Sequence, residues 1–234
     1  MKKIKVAVLG ANGRMGQEIC ALLKKSSKTE ESLGVVRKGS AEGFKKSSNK
    51  LIDKDFKNID VIIDFSSLEI MEANLEFAEK NDIAMVSGIT GITGKEEKYL
   101  NQIAKKIPVL WAPNMSLGVA TLMKAMESLK MIKNFDFQIE ELHHNQKKDS
   151  PSGTALFLQK KLEKVVEKKC PAPLAIRGGG IFGVHKVFAM SDNEILTFEH
   201  SALNRKLFAE GAVEAAIWLA SQKKGLYQMQ DIIS

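Results

Sequence analysis

A chain of 234 residues with 44% hydrophobic residues can form one large domain or two small ones with a substantial core. No apolar run reaches the roughly 18–20 residues of a membrane-spanning helix, so a membrane protein is not expected. The formal net charge of +7 comes from lysines scattered along predicted helices and loops. With two Trp and two Tyr for base stacking and no nucleic-acid motif, nucleic-acid binding is not favoured either.

The first half of the chain alternates short apolar strands with helices. Strands are predicted at residues 4–9, 33–36, 61–65, 83–87 and 109–111, and helices at 14–25, 69–81 and 95–106. The lysine-rich stretch after the second strand, to about residue 58, has the composition of a loop. Short apolar strands separated by helices predict a parallel sheet with helices on both faces.

The second half follows a different pattern, in which strands share a sheet with one or two long helices. Helices are predicted at 117–130 and 153–168, and strands at 135–142, 174–177, 184–190 and 194–201. A final helix at 207–221 is expected to pack back on the first domain. This order of elements predicts an α/β protein, with a Rossmann-like parallel-sheet nucleotide domain and a second domain of the α+β type.

The cysteine content and the start of the chain bear on location. Cys20 and Cys170 are far apart and show no metal-ligand spacing. The residues Met1-Lys2-Lys3 lead directly into the first strand, without the pattern of an export signal. We therefore expect a reduced, cytoplasmic enzyme.

A glycine-rich turn lies between the first strand and the first helix, with the sequence Gly10-Ala11-Asn12-Gly13-Arg14-Met15-Gly16. Glycines at this place permit a tight turn and close approach of a phosphate, and the helix N-terminus favours its charge. Arg14 can add a charge-assisted contact. The turn therefore predicts dinucleotide binding, although the spacing G-x-x-G-x-x-G is also compatible with a turn needed only for strand–helix packing.

The end of the second strand usually decides between the two nicotinamide coenzymes, because an acid there binds the ribose 2′-OH and a basic residue accommodates a 2′-phosphate. Here Arg37 and Lys38 follow the strand, whereas Glu30 and Glu31 are interpreted as preceding it. NADPH is therefore predicted to be favoured, with NADH possible. The alternative is that Arg37 and Lys38 are solvated loop cations.

Two further loops follow predicted strands, where ligands bind in open α/β sheets. They are Gly88-Ile89-Thr90 and Ala112-Pro113-Asn114-Met115. Their hydroxyl and amide groups are candidates for contacts with the nicotinamide and its ribose; each is equally compatible with an ordinary turn.

Residues 140–154 combine two histidines, two lysines and a helix start. Histidine can move protons near neutral pH, and backbone N–H groups at a helix start can hold an anion. Ser150 is predicted as the helix cap and Pro151 as the first helical residue. Neighbouring strand residues point to opposite faces, so both His143 and His144 can face one ligand only if the chain bends between them.

The motif His-His-x-x-Lys-x-Asp-x-Pro-Ser-Gly-Thr, together with Gly-x-x-Gly-Arg-Met-Gly, resembles dihydrodipicolinate reductase. The likeness extends over nearly the whole chain. It implies NAD(P)H-dependent reduction of 4-hydroxy-tetrahydrodipicolinate or dihydrodipicolinate to tetrahydrodipicolinate, in lysine and diaminopimelate biosynthesis. By this resemblance His143 and Lys147 are proton donors, His144, Gly153 and Thr154 bind substrate, and Gly10–Met15, Gly88–Thr90 and Ala112–Met115 contact the coenzyme. The two substrate carboxylates need cations and N–H donors, which Lys147, His144 and the Gly153-Thr154 backbone could provide. Ile89 departs from the family, which often has Thr there.

The resemblance also implies the domain organisation. Residues 1–114 and 206–234 would form the dinucleotide-binding domain, and residues 115–205 a substrate-binding and oligomerisation domain that closes on it. The partners implied are a small dicarboxylate substrate and further copies of the chain, as a homotetramer. No metal is predicted, since the only acid-rich pair nearby is Glu140-Glu141. His185 and His200 are interpreted as structural, although His185 follows a glycine loop that could border the site.

Two other functions remain compatible with these residues. One is an NAD(P)-dependent amine or imino-acid dehydrogenase of similar architecture. The other is a nucleotide-binding redox sensor, which would bind the coenzyme without turnover. Adjacent proton donors beside an anion-binding loop argue against a sensor, because a sensor has no need of them.

Overall fold

The computed structural model describes residues 3–36 and 46–233. The chain divides into two compact units, Met1–Ser116 with Lys206–Ile232, and Leu117–Arg205. The first of these boundaries lies two residues after the one expected from sequence, at 114. Within the described ranges, none of the helices is long and apolar enough to span a bilayer.

The first unit contains a seven-stranded parallel sheet. Its strands are β1 (Ile4–Leu9), β2 (Thr29–Val35), β3 (Ser47–Ser48), β4 (Val61–Asp64), β5 (Ala84–Ser87), β6 (Pro108–Trp111) and β11 (Gly225–Tyr227). They lie in the order β11-β6-β5-β4-β1-β2-β3, and each neighbouring pair is parallel. The strand order reverses between β1 and β4, and open α/β sheets bind ligands at the carboxyl side of such a switch point.

Helices cover both faces of this sheet, as the alternation of strands and helices predicts. The helices are α1 (Arg14–Lys25), α2 (Asp53–Phe56), α3 (Met71–Lys80), α4 (Gly94–Ala104) and α7 (Lys206–Leu219). Helices α3 and α4 share a core with alternate strand residues such as Ala7, Ile62 and Met85. Helix α1 packs against α7, which also contacts β4, β5 and β6. The predicted fold class is confirmed.

The second unit is a four-stranded mixed sheet with helices on one face. Its strands are β7 (Asp136–His143), β8 (Leu174–Arg177), β9 (Gly183–Met190) and β10 (Ile195–Ala202), in the order β10-β9-β7-β8. Helix α5 (Leu117–Ala125), a 3₁₀ helix (Met126–Ile132) and α6 (Gly153–Val166) contribute to one core with the sheet. Burial alternates along β7, so Phe137, Ile139, Glu141 and His143 lie on this inner face.

Several predicted boundaries were wrong. Strand β2 begins at Thr29, so Glu30 and Glu31 lie inside it rather than before it; they pair with Lys5 and Val6 at its amino end. The predicted helix over 117–130 ends at Ala125 and continues as a 3₁₀ helix. Strand β11 was not predicted, because three residues are too few to show a period and only pairing with β6 defines them.

Candidate functional site

A cavity lies at the switch point of the first unit's sheet. Its volume is about 570 Å³, and its lining includes Gly10 and Gly13 from the turn, Val35 and Val36 at the end of β2, and Ser66 after β4. It also includes Asn49 and Lys50. The turn and the ends of β1, β2 and β4 are thus brought together, as a dinucleotide site requires.

The glycines of the turn are required by close backbone contacts. Gly10 has φ +78°, and a Cβ there would lie 2.6 Å from the Phe65 carbonyl oxygen. A Cβ on Gly16 would lie 2.3 Å from the Gly10 carbonyl oxygen. Gly13 caps α1 without a side chain, so the start of the helix is open to an approaching anion. The residues present therefore fit a pyrophosphate group.

A buried carboxylate holds the loop beside this turn. Asp64 accepts hydrogen bonds from the Ser66 N–H (2.9 Å) and from Asn74 Nδ2 (3.0 Å). Burial raises the pKa of Asp64, and the hydrogen bonds from Ser66 and Asn74 oppose this effect. Between Asp64 and Ser66, the Phe65 ring fills the space beside Gly88, where a Cβ would lie 2.4 Å from it. The glycine-rich turn and the Gly88 loop therefore both pack against Phe65.

The other two predicted coenzyme loops lie at the carboxyl ends of β5 and β6. Ile89 is a core residue, and its carbonyl accepts a hydrogen bond from Trp111 Nε1 at 2.9 Å. Thr90 is exposed. In the second loop, Asn114 Oδ1 accepts from the Ser116 N–H at 2.9 Å, while Ala112 and Met115 are buried. The Ile89 side chain is therefore part of the core, and any coenzyme contact there involves the backbone or Thr90.

Arg37 and Lys38, the predicted contacts of a 2′-phosphate, lie outside the described residues. Lys50, which follows β3, lines the cavity and is exposed. The sequence gives no sign of this placement, because a two-residue strand beside β2 brings Lys50 there.

In the second unit, His143 lies at the end of β7 and is buried, with 8% exposure. Its Nδ1 is hydrogen-bonded to Glu141 Oε2. The other carboxylate oxygen of Glu141 accepts from Arg177 at 2.7 Å and from the Ser152 N–H at 3.0 Å. Glu141 thus joins the predicted proton donor to the start of α6 and to β8.

The charges of this group follow from its contacts. Burial acts to raise the pKa of Glu141, but the hydrogen bonds from Arg177, His143 and Ser152 outweigh it, and the pKa lies below the ordinary value. Burial lowers the pKa of His143, and Glu141 opposes this shift. Lys147 and Arg177 lower it further through their positive charge. Glu141 is therefore ionised near neutral pH.

The predicted carboxylate-binding groups are engaged by Asp149. Its two oxygens contact Lys147 Nζ at 2.9 Å and the Gly153 N–H at 3.3 Å. Burial acts to raise the pKa of Asp149, but these contacts lower it below its ordinary value. A side-chain carboxylate thus already occupies the donors that the sequence assigned to a substrate carboxylate, which shows that their geometry suits one.

The cap of α6 differs from the prediction. Ser152, not Ser150, precedes the helix, and its Oγ accepts from the Ala155 N–H at 3.2 Å. Pro151 therefore lies before the helix rather than in its first turn. Ser152 Oγ is also 3.3 Å from His185 Nε2, so the cap belongs to the same buried group as Glu141.

His185 was interpreted as structural, but it lies beside His143. The two rings meet edge to face, with centroids 5.2 Å apart. Burial lowers the pKa of His185 to about 4, and the positive charge of His143 adds to this shift, so His185 is neutral near pH 7. Its Nδ1 is buried and has no hydrogen-bond partner among the described residues.

The bend between the two adjacent histidines is present. β7 ends at His143, and His144 starts a turn in which its carbonyl accepts from the Lys147 N–H at 3.1 Å. His144 is half-buried. Its binding role, and that of Thr154 in the first turn of α6, stay predictions. The structural role predicted for His200, whose pKa is lowered by burial, also stays a prediction.

Ligand atoms of Glu141, His143 and His185 lie within 4.8 Å of one another, a spacing that a metal ion could use. Glu141, however, already accepts three hydrogen bonds, one of them from the guanidinium of Arg177. A cation at this carboxylate would compete with Arg177. The contacts describe a hydrogen-bonded acid–base group, and the prediction of no metal stays a prediction.

Sequence reasoning missed three members of this group: Glu141, Ser152 and Arg177. Glu141 had a usable signal, since it lies two residues before His143 and therefore on the same face of the strand. Arg177 had none, because its contact depends on the pairing of β8 with β7.

The fold is shared with a dehydrogenase and a reductase of known structure. Diaminopimelate dehydrogenase of C. glutamicum matches with a TM-score of 0.66 at 13% identity, over 100% of this chain and 96% of that one. A dipicolinate-bound dihydrodipicolinate reductase from Paenisporosarcina sp. TG-14 matches with a TM-score of 0.84 at 22% identity, over 99% and 100% of the two chains. These likenesses concern the fold.

Sequence comparison defines the family. Residues 4–115 match the family profile described as dihydrodipicolinate reductase, N-terminus, and residues 118–233 match the one described as its C-terminus. A 4-hydroxy-tetrahydrodipicolinate reductase of Bdellovibrio bacteriovorus is 52% identical over 100% of this chain and 97% of its own. One from Wolbachia sp. subsp. Drosophila simulans is 38% identical over 99% and 100%. The chain belongs to the dihydrodipicolinate reductase family.

Proposed function

We propose that this protein reduces 4-hydroxy-tetrahydrodipicolinate, or the dihydrodipicolinate formed from it by loss of water, to tetrahydrodipicolinate with NAD(P)H, in lysine and diaminopimelate biosynthesis. The observation that carries the proposal is the group around Glu141 in a member of this family. It combines a buried histidine on a carboxylate with a lysine and a helix start that already hold one carboxylate.

The reaction needs a hydride, a proton and a place for two carboxylates. Reduced nicotinamide supplies the hydride when it is bound, and the conjugated C=C–C=N system that accepts it becomes an enamine anion. A protonated His143 or Lys147 then gives the proton that neutralises it. Lys147, His144 and the Gly153-Thr154 backbone are proposed to hold the substrate carboxylates.

A dicarboxylate substrate is supported by the ligand of a related structure and by the charges of the site. The Paenisporosarcina reductase is described with dipicolinate bound, which is a planar dicarboxylate. In this chain the Asp149 carboxylate contacts both Lys147 and the Gly153 N–H. A substrate carboxylate would replace Asp149 on the same donors.

The coenzyme is proposed to bind in the cavity beside Gly10 and Gly13, with the loops at Gly88–Thr90 and Ala112–Met115 near the nicotinamide.

NADPH is proposed as the preferred coenzyme, because Arg37 and Lys38 follow β2 and Lys50 lines the cavity. We expect Arg37→Ala to raise KM for NADPH much more than KM for NADH. The control Lys98→Ala, on α4, removes one positive charge elsewhere and should change neither KM value. Equal effects of Arg37→Ala on the KM values of both coenzymes would contradict the placement of Arg37 beside the 2′-phosphate.

A homotetramer is proposed as the working assembly. The outer face of the second unit's sheet carries apolar side chains that the unit itself leaves exposed, among them Leu174 (56%), Ile176 (44%) and Ile195 (68%). By strand register, Leu142, Val184 and Phe188 belong to the same face. Such a face is typical of a self-association surface. Light scattering of the purified protein would give four chain masses, and a monomer would exclude it.

A cytoplasmic location is part of the same proposal. Both cysteines are free, which fits a reducing compartment.

The experiment that tests the function couples this protein to a synthase that makes the unstable substrate, and follows the loss of reduced-nicotinamide absorbance. Oxidation of NADPH that depends on both the synthase and this protein supports the proposal. Coenzyme binding without oxidation would favour the redox-sensor alternative. Oxidation of an amine with NADP⁺, with no activity in the coupled assay, would favour the amine dehydrogenase.

A further inference from the structure

Glu141 is the most fully engaged side chain of the second unit's buried polar group. It has 0% exposure, and its carboxylate binds His143 Nδ1, Arg177 and the Ser152 N–H. Removing an ionised carboxylate from water is costly unless each oxygen is hydrogen-bonded. The buried carboxylate of Glu141 is therefore stable only while all three partners bind it. Glu141 in turn holds each of these partners in position.

The contact with His143 determines which ring nitrogen faces the reaction. An ionised carboxylate only accepts hydrogen bonds, so Nδ1 must carry a proton whether His143 is neutral or charged. The proton that His143 can give is then the one on Nε2. That nitrogen faces Gly183, where an added Cβ would lie 3.0 Å from it.

We propose that Glu141 is a positioning residue for His143: it fixes the ring orientation and the Nδ1–H tautomer, so that Nε2 alone carries the transferable proton. Through Ser152 and Arg177 the same carboxylate fixes the loop that presents Lys147 and Gly153. Arg177 also donates to the Asp149 carbonyl at 2.7 Å. The inference deepens the proposed function and rests on it.

The pKa directions agree with this geometry. Burial lowers the pKa of His143, and the hydrogen bond and negative charge of Glu141 oppose that shift. Without Glu141 the pKa would fall further, and fewer molecules would hold the proton at neutral pH. A donor is active below its pKa, so loss of Glu141 should move the alkaline fall of kcat to lower pH.

The first test is Glu141→Gln, which keeps the shape of the side chain. Its oxygen can still accept from Ser152 and Arg177, but its NH₂ group would face His143 Nδ1 and favour the Nε2–H tautomer. We expect kcat to fall on the order of 10²-fold, the lower end of the cost of losing a proton donor. KM for the coenzyme should stay unchanged, and the alkaline fall of kcat should move to lower pH. The control is Glu127→Gln, in the same unit, where Glu127 pairs with Lys161 at 2.6 Å. This variant should keep the wild-type kcat, KM for the coenzyme and pH dependence of kcat.

A double-mutant cycle separates positioning from mere support of the loop. If Glu141 acts through His143, Glu141→Gln should cost less than about twofold in a His143→Ala background. The same factor in both backgrounds, or a Glu141→Gln enzyme at full rate, would overturn the proposal.

The third measurement needs neither a variant nor turnover. Nitrogen-15 NMR of the imidazole groups in the wild-type protein should show neutral His143 with its proton on Nδ1. A proton on Nε2 would overturn the proposal even if Glu141→Gln failed to fold. If the coupled assay showed no activity while the Nδ1–H tautomer was present, the proposed reaction would be wrong and the Glu141 contact would stand.

Discussion

The glycine-rich turn of the first unit and the Glu141 group of the second are built on opposite principles. At the turn, Gly10 and Gly16 leave room for backbone atoms that approach within 2.6 and 2.3 Å of where a Cβ would be. Around Glu141, recognition depends on side chains that hydrogen-bond one another in a buried place. The first region should therefore fail when atoms are added, and the second when polar groups are removed.

The difference also concerns what each region can bind. Backbone N–H groups at a helix start recognise a phosphate whatever the side chains are. A histidine, a lysine and an arginine held around two carboxylates recognise a particular charge pattern and can move a proton. The turn thus suits a coenzyme shared by many enzymes, and the Glu141 group suits one substrate.

The largest effect should come from removing a proposed proton donor. His143→Ala should lower kcat on the order of 10²–10⁴-fold and leave the Kd for NADPH unchanged, measured by the coupled assay and by fluorescence titration. Lys147→Ala is the matched variant, and whichever of the two loses more in kcat is the principal donor. A raised Kd for NADPH in His143→Ala would show that coenzyme binding depends on His143 as well as on the glycine-rich turn.

Adding one methyl group to the glycine-rich turn should weaken coenzyme binding rather than lower kcat. In Gly16→Ala the new Cβ meets the Gly10 carbonyl oxygen, and overpacking of this kind costs about 1–3 kcal/mol. We expect a lower free energy of unfolding in denaturant. We also expect a raised Kd for NADPH, because a displaced Gly10 carbonyl would move the backbone N–H groups proposed to face the pyrophosphate. Gly94→Ala, whose Cβ would meet no described atom within 4 Å, should match the wild type.

The smallest effect is expected from adding a methyl group beside the His143 ring, which tests whether the Glu141 group is also sensitive to added atoms. A Cβ on Gly183 would lie 3.0 Å from His143 Nε2, so Gly183→Ala should displace the ring by a few tenths of an ångström. We expect kcat to fall by a few-fold to about tenfold, with no change in coenzyme affinity. Gly180→Ala, which has open space for its Cβ, is the control. Full activity in Gly183→Ala would show that the ring tolerates the shift.

Sequence predicted the architecture because its signals are local. Apolar runs such as Val61–Asp64 and the glycine turn appear within a few residues, and they lie where they were expected. β11 and the contact between Arg177 and Glu141 could not be predicted, since each depends on pairing between strands far apart in sequence. His185 was taken as structural because a lone histidine gives no sign of what it will face across a sheet.

The first unit is assembled from both ends of the chain, and this affects how the molecule can form during synthesis. Residues 117–205 are continuous and can fold as soon as they leave the ribosome. The first unit, by contrast, lacks α7 and the edge strand β11 until residues 206–227 are made. Until then the side of the sheet that α7 covers stays open, along with the β6 edge. Before residues 206–227 are made, this edge and the uncovered side of the sheet expose the nascent chain to aggregation.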